Sequence, residues 1–161
     1  MSEKPVPYIL FVVAGTTYAV PSQQVLHIEM VEQITPVPNA QPFVEGVVFS
    51  RGQVVPVINL RVRFGFERAA RDLRARLLVV QSEARRVGLL VDEAREFIGI
   101  APDAIHPPPE TVGGLSGDYL AGMTTLGERI VVMLNVREVL DGSQGDRSWQ
   151  PTAATGSTRA E

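Results

Sequence analysis

Ten short runs of aliphatic and β-branched residues, separated by turn-forming residues, constrain what this chain can fold into. Each run is about four to eight residues long, which suits a strand better than a helix. Glycines at 15, 52 and 127 stand between neighbouring runs. Many short strands with frequent turns are typical of barrels and sandwiches. The predicted strands are Tyr8–Val13, Thr17–Val20, Val25–Val31, Val44–Phe49, Val54–Ile58, Leu77–Gln81, Val87–Val91, Arg95–Ile100, Leu120–Thr124 and Arg129–Leu134.

Helical signals occur at two places. Asn135 precedes Glu138 by three residues, an arrangement related to the capping box, in which both side chains satisfy free backbone N–H groups. With Gly142 as a C-terminal residue, this pattern predicts a helix over about 136–141. The segment from Asn59 to Gly65 has the same outline and predicts a second short helix.

The two helical segments belong to an internal repeat. When the chain is shifted by about 76 positions, Phe43–Phe64 lies over Tyr119–Leu140 without a gap, and Asn59 falls on Asn135. The shared order of glycine, strand and capped helix is difficult to obtain by chance. The chain is therefore expected to contain two related halves.

The repeat extends to earlier segments, because Tyr18–Ile28 aligns with Val87–Phe97 at a slightly smaller offset. We expect one domain over residues 8–142, with halves of roughly 8–66 and 77–142. Five short strands in an open sheet would leave exposed edges, and closure into a barrel removes them. Two barrels are the prediction, with two open sheets packed as a sandwich as the alternative.

Charge and composition exclude several classes of function. The net charge of −3 and the pI of about 5.5 disfavour nucleic-acid binding, which requires clustered Lys and Arg. A basic segment from Arg61 to Arg76 is interrupted by Glu67 and Asp72 and is predicted to be a solvated loop. The chain has no cysteine, which excludes disulfides and thiolate sites and fits a cytoplasmic protein.

The sequence predicts neither a membrane span nor an ordered C-terminal tail. No apolar run approaches the length of a membrane span, and Tyr8–Ala14 is interpreted as a buried strand rather than a secretory signal. Residues 143–161 lack the apolar content to order themselves and are expected to be disordered. Trp149 is the one residue there that could anchor the tail.

Catalytic motifs are absent from the sequence. The two histidines, His27 and His106, form no metal-binding pattern, and no nucleophile elbow or phosphate-binding loop occurs. We therefore predict no enzyme activity, no cofactor and no metal, and favour a binding module. Arg51, in a tight Ser-Arg-Gly turn, is its clearest candidate contact. A small-molecule-sensing or enzymatic double barrel is the competing hypothesis.

The segment from Phe43 to Arg61, FVEGVVFSRGQVVPVINLR, resembles the central pattern of the CheW-like chemotaxis adaptor family. In that pattern a Gly-Val strand leads to an N-L-R-G turn and then to a V-P-V-x-D-L-R strand. The resemblance covers about residues 8–142. Further matching blocks, in order, are Tyr18–Pro21 with Val25 and Ile28, Val87–Asp92, Ile105–Pro109, Leu115–Gly122 and Ile130–Leu140.

The resemblance implies an all-β fold with a few short helices, built as two intertwined five-stranded SH3-like barrels. It also implies a cytoplasmic, non-catalytic adaptor associated with membrane-bound receptor arrays. Its partners would be the cytoplasmic tip of chemoreceptors and the regulatory domain of a CheA-type histidine kinase, without nucleic acid or membrane insertion. The alternative is a related scaffold in a pilus or surface-sensing pathway.

Residues can be assigned to this adaptor role by the same resemblance. Arg51 occupies the family's turn arginine and Gly46 lies on its Gly-Val strand. Val25, His27 and Ile28 fall on the strand that lines the receptor groove. The matching positions of the second half are Leu77, Gly88 and Phe97. A core role is the alternative for Val25, Ile28, Leu77 and Phe97.

Three positions depart from the family pattern. The family's Asn-Leu before the turn arginine is Phe49-Ser50 here, and Asn59 replaces an aspartate. His27 replaces an acidic residue of the groove strand, which changes the charge complementarity there and raises the question of pH sensitivity. These changes leave the pathway open.

Overall fold

The computed structural model describes residues 4–107 and 119–141, and all ten predicted strands are present in it. Two short α-helices follow strands, as predicted, at Leu60–Arg63 (α1) and Val136–Asp141 (α2). The predictions for Gly142, Trp149 and the tail 143–161 lie outside the described residues. The strands are β1 Val6–Val13, β2 Thr16–Pro21, β3 Val25–Met30, β4 Val44–Ser50, β5 Gln53–Asn59, β6 Arg76–Ser82, β7 Arg85–Val91, β8 Glu93–Ile100, β9 Leu120–Leu126 and β10 Arg129–Leu134.

The strands form two five-stranded sheets, each with strands from both halves of the chain. The first has the order β8-β1-β2-β10-β9 and the second the order β3-β6-β7-β5-β4. If each strand number of the first order is increased by five, with β1 following β10, the order of the second sheet results. The pairs β2–β10 and β5–β7 are parallel, whereas all other neighbours are antiparallel. The sequence repeat thus corresponds to a repeated topology.

Each sheet closes on itself through an isolated bridge between its edges. After β3, Thr35 pairs with Val47 of β4 through backbone hydrogen bonds of 2.9 and 2.8 Å. After β8, His106 pairs with Met123 of β9 through bonds of 2.8 and 2.9 Å. Closure satisfies edge N–H and C=O groups that would otherwise remain exposed. The all-β class is confirmed, and we name the sheets the first and the second barrel.

Three apolar clusters stabilise this arrangement. The interior of the first barrel contains Leu10, Ala19, Ile100, Val131 and Met133. The interior of the second barrel contains Val55, Val57, Leu77, Val79 and Leu90. The largest cluster joins the two barrels, because the outer faces of their central strands pack together; among its members are Phe11, Tyr18, Leu78, Leu89 and Val132. Successive side chains of a strand point to opposite faces, so these central strands are buried on both.

Equivalent contacts cap the two helices. The Asn59 side-chain oxygen accepts hydrogen bonds from the Arg61 and Val62 amides at 3.0 and 3.4 Å. The Asn135 side-chain oxygen accepts from the Glu138 amide at 3.3 Å. Both predicted N-caps are confirmed.

The basic segment from Arg61 to Arg76 has two different parts. Residues 67–74 are exposed, in agreement with the predicted solvated loop. Arg61 is instead held by Asp92 through two hydrogen bonds of 3.0 and 2.8 Å, which raise the pKa of its guanidinium. The Asp92 carboxylate also accepts from the Ala14 amide at 2.9 Å and so links the β1–β2 turn to the second barrel.

Candidate partner-binding surface

Ile28 and Phe97 occupy equivalent positions on the edge strands β3 and β8. Ile28 lies opposite Leu78, and Phe97 lies opposite Ile9. Directly opposed residues share one face of a sheet, and both partners contribute to the cluster between the barrels. Ile28 is nevertheless 41% exposed and Phe97 67% exposed. The core alternative is therefore wrong for these two residues, which extend the central cluster to the surface.

From Leu26 to Met30, strand β3 has its apolar side chains outside and its polar side chains inside. Leu26 and Met30 are exposed, as is Ile28 between them. The side chains of His27 and Glu29 are only 14% and 25% exposed. This inverts the usual arrangement of a half-buried strand, and a row of exposed apolar side chains marks a surface suited to a protein partner. Sequence reasoning missed Leu26 and Met30, although their alternation with His27 and Glu29 was a signal.

Val25, at the start of β3, is partly buried against the cluster between the barrels. Two further predicted contact residues, Leu77 and Gly88, are buried inside the second barrel. A Cβ atom on Gly88 would lie 2.9 Å from a Leu77 methyl group, so the two positions fit each other closely. The core alternative holds for Leu77. Any effect of Leu77 or Gly88 on binding would act through the shape of the barrel.

Gly46 is needed for closure of the second barrel. Its φ is +145°, and a Cβ atom there would lie 2.1 Å from the Thr35 carbonyl oxygen. That carbonyl accepts the Val47 amide of the closing bridge. Its predicted role in partner binding remains a prediction, and its position explains why glycine is required.

His27, Glu29 and Ser50 form a compact cluster, which we call the clasp, between β3 and the end of β4. The Ser50 hydroxyl donates to Glu29 Oε2 at 2.6 Å, and His27 Nε2 lies 2.7 Å from the same oxygen. His27 Nε2 and Ser50 Oγ are 3.1 Å apart. A serine–histidine–carboxylate relay needs the serine and the acid on opposite imidazole nitrogens. Here both face Nε2, so the cluster has the geometry of a structural link.

Arg51 begins the two-residue turn between β4 and β5. Arg51 and Gly52 have φ values of +51° and +84°, as a type I′ hairpin turn requires. The Arg51 side chain is exposed, and within residues 4–107 and 119–141 it has no hydrogen-bond or ion-pair partner. This guanidinium can therefore donate to an incoming carboxylate.

An apolar pair flanks the Arg51 turn. Phe49 and Val54 lie opposite each other in the hairpin and are 76% and 54% exposed. Sequence reasoning noted Phe49 only as a departure and assigned no role to Val54. Together with Arg51, they give the hairpin tip both an apolar and a cationic contact.

Comparisons with known proteins agree with one another. A model of the CheW-like domain family matches residues 7–144. The chain is 28% identical over 137 residues to the chemotaxis protein CheW of Klebsiella aerogenes, covering 85% of this chain and 82% of that protein. It is 32% identical over 139 residues to CheW of Helicobacter pylori, covering 86% and 84%. Protein FrzA of Myxococcus xanthus is 29% identical over 136 residues, covering 83% and 84%.

A solved structure shows the same architecture. The crystal structure of the scaffolding protein TtCheW from Thermoanaerobacter tengcongensis superposes with a TM-score of 0.78 at 26% sequence identity. The match covers 84% of this chain and 88% of that one. The sequence and structural comparisons thus indicate one family over nearly all of the described chain.

Proposed function

This chain belongs to the CheW-like family, and from that premise we propose that it is a non-catalytic adaptor coupling chemoreceptors to a CheA-type histidine kinase in chemotaxis. The observation that carries the proposal is the inverted strand β3 beside the exposed Arg51 turn. Such a surface presents apolar side chains and a cation, and it suits a protein partner better than a small substrate.

The receptor is the partner that fits the surface around β3. A helical receptor tip can lay an apolar stripe into a groove between the barrels, where Ile28 and Phe97 flank the shared cluster. A carboxylate on the same tip would meet Arg51 in a bidentate hydrogen bond. The kinase regulatory domain would bind a different face, so that the receptor and the kinase can be bound at the same time.

The site of action is the cytoplasmic side of a receptor array. Across the described residues, no helix is long and apolar enough to cross a membrane. In the proposed function, the receptor recruits the adaptor to the membrane by binding the groove between the barrels.

Isothermal titration tests this function. The full chain is titrated against the regulatory domain of each CheA-type kinase of its genome and against a peptide or fragment of each receptor tip. Micromolar or tighter binding to one kinase and one receptor is expected, and the kinase that binds identifies the pathway.

The Arg51→Glu variant should weaken at least one of these interactions about tenfold or more, since it reverses the charge of the turn. Arg71→Glu, on the exposed loop 67–74, is the matched control and should bind like the natural protein. No heat with any kinase or receptor, from a folded sample, would refute the adaptor function.

A further inference from the structure

We propose that His27, Glu29 and Ser50 are positioning residues whose clasp holds the Arg51 turn in the conformation that presents its guanidinium. The inference rests on the proposed function, in which the Arg51 guanidinium contacts a carboxylate of a partner. It adds a link between the groove strand β3 and the hairpin tip that the family resemblance does not contain.

The Arg51 turn benefits from such a link because its backbone conformation is costly for arginine. Arg51 adopts a φ of +51°, in the left-handed region that favours glycine, asparagine or aspartate. Ala14 and Glu83 adopt similar φ values of +51° and +59° in other turns. Contacts from neighbouring residues therefore support the turn by limiting its mobility, and they are not what makes the positive φ possible.

The clasp gives that support directly before Arg51 in the chain. Ser50 is the last residue of β4 and is 5% exposed. The Ser50 hydroxyl donates to Glu29 Oε2 at 2.6 Å, and His27 Nε2 lies 2.7 Å from the same oxygen. On the other side of the turn, the Arg86 guanidinium donates to Gln53 Oε1. The hairpin tip is thus held on both strands while Arg51 itself stays exposed.

The other barrel offers an internal comparison. By the repeat, Ser50 corresponds to Leu126 and Glu29 to Ile98, and both of these pack against the apolar interior of the first barrel. The turn residue there is Gly127, which tolerates its φ of +64° without support. The polar clasp is thus found in the barrel whose turn carries arginine, and apolar packing takes its place in the barrel whose turn carries glycine. Apolar side chains fill the equivalent positions of the first barrel, so a polar cluster at this place is not a requirement of the barrel itself.

The clasp predicts a measurable change in the mobility of the turn. In isotopically labelled full-length protein, Ser50→Ala should lower the ¹H–¹⁵N heteronuclear NOE of the Arg51 and Gly52 amides. Ser50→Thr keeps the hydroxyl and should restore it. Leu126→Ala is the matched control in the first barrel and should leave the Arg51 and Gly52 amides unchanged.

A second arm measures binding to the partner identified by titration. Ser50→Ala should weaken binding about fivefold, which corresponds to the coupling expected for neighbouring residues, and should weaken it no further in an Arg51→Ala background. Should Ser50→Ala fail to fold, Glu29→Gln serves in both arms, because it keeps the side-chain size while weakening the acceptor.

The two arms separate the clasp from the proposed function. Unchanged NOE values in Ser50→Ala, or an equal loss of binding with and without Arg51, would overturn the clasp even if the adaptor function stands. Absence of any binding partner would refute the adaptor function, and the mobility measurement would still decide whether the clasp orders the turn.

Discussion

At the scale of single residues, Arg51 combines a strained backbone with a free guanidinium. Ala14 provides a matched case, because it has the same φ of +51° and is likewise followed by a glycine in a two-residue turn. Arg51 is exposed at a predicted contact, whereas Ala14 is not implicated in binding. Substitutions at the two positions therefore distinguish the effect of the positive φ on stability from the effect of the guanidinium on binding.

We expect Arg51→Gly to raise the free energy of unfolding by about 1 kcal/mol, because glycine adopts a positive φ without steric cost. The same change should weaken partner binding about tenfold or more. Ala14→Gly should give a smaller gain in stability, because it also removes a methyl group that packs against the cluster between the barrels, and it should leave binding unchanged. Urea unfolding and titration measure the two effects, and full binding by Arg51→Gly would show that the guanidinium has no role.

Tyr18 is buried in the cluster between the barrels, and its hydroxyl makes the free energy of unfolding depend on pH. Burial raises the pKa of its hydroxyl to about 12, against a smaller opposing effect of a hydrogen bond with Thr16. An unfolded tyrosine titrates near pH 10. The stability gained from neutral Tyr18 is therefore complete below pH 10 and is lost as the pH rises towards 12.

Denaturant unfolding at a series of pH values should show this loss, at about 1.4 kcal/mol per pH unit between roughly pH 10 and 12. Tyr18→Phe removes the ionisable group and should flatten this part of the profile. An equally steep profile in Tyr18→Phe would mean that other groups cause the loss.

At the scale of elements, β3 shows what a run of aliphatic residues can and cannot predict. The run located the strand, since the observed Val25–Met30 is only one residue shorter than the predicted Val25–Val31. It did not show which face is buried, and the assumption of apolar side chains inside fails for this strand. The reversal depends on Ser50, 21 residues beyond Glu29 in the chain, whose hydroxyl completes the clasp.

Ile28→Asn tests the exposed face of β3. The side chain is 41% exposed, so the free energy of unfolding should fall by less than about 1 kcal/mol, whereas receptor binding should weaken about tenfold. Ile130→Asn, at a 53% exposed position of β10, is the control for a comparable loss of apolar surface. Receptor binding that is insensitive to Ile28→Asn would move the groove elsewhere.

Buried contact candidates show a second limit of sequence reasoning. Leu77, Gly88 and Gly46 were assigned to partner binding by resemblance, with a core role as the alternative for Leu77. Leu77 and Gly88 lie inside the second barrel, and Gly46 lies at its closing bridge. A sequence pattern does not distinguish a residue that contacts a partner from a buried residue that packs beneath the contact surface. The strands and helix caps, which depend on local sequence, were predicted correctly.

At the scale of the whole molecule, exchange of strands makes the halves of the chain interdependent. The first barrel contains β1 and β2 together with β8, β9 and β10, whereas the second contains β3, β4 and β5 with β6 and β7. Neither half of the sequence supplies a complete barrel. The sequence repeat revealed two related units but not this exchange, which the family resemblance supplied.

We therefore expect fragments 1–68 and 69–161 to be unfolded when each is produced alone, since each would expose unpaired strand edges and half of the shared cluster. Mixed or coexpressed fragments should recover the circular dichroism spectrum and cooperative melting of the intact chain. A cooperative melt from either fragment alone would contradict this interdependence.

The proposed adaptor would connect a receptor and a kinase within one complex. The most direct measurement is autophosphorylation of the CheA-type kinase in the presence of receptor-containing membranes, with and without this protein. We predict that the receptors change the rate of autophosphorylation only when the protein is present, and that Arg51→Glu reduces the change while Arg71→Glu does not. If the rate of kinase autophosphorylation is the same with and without the protein, while all components are folded, the proposed adaptor function is contradicted.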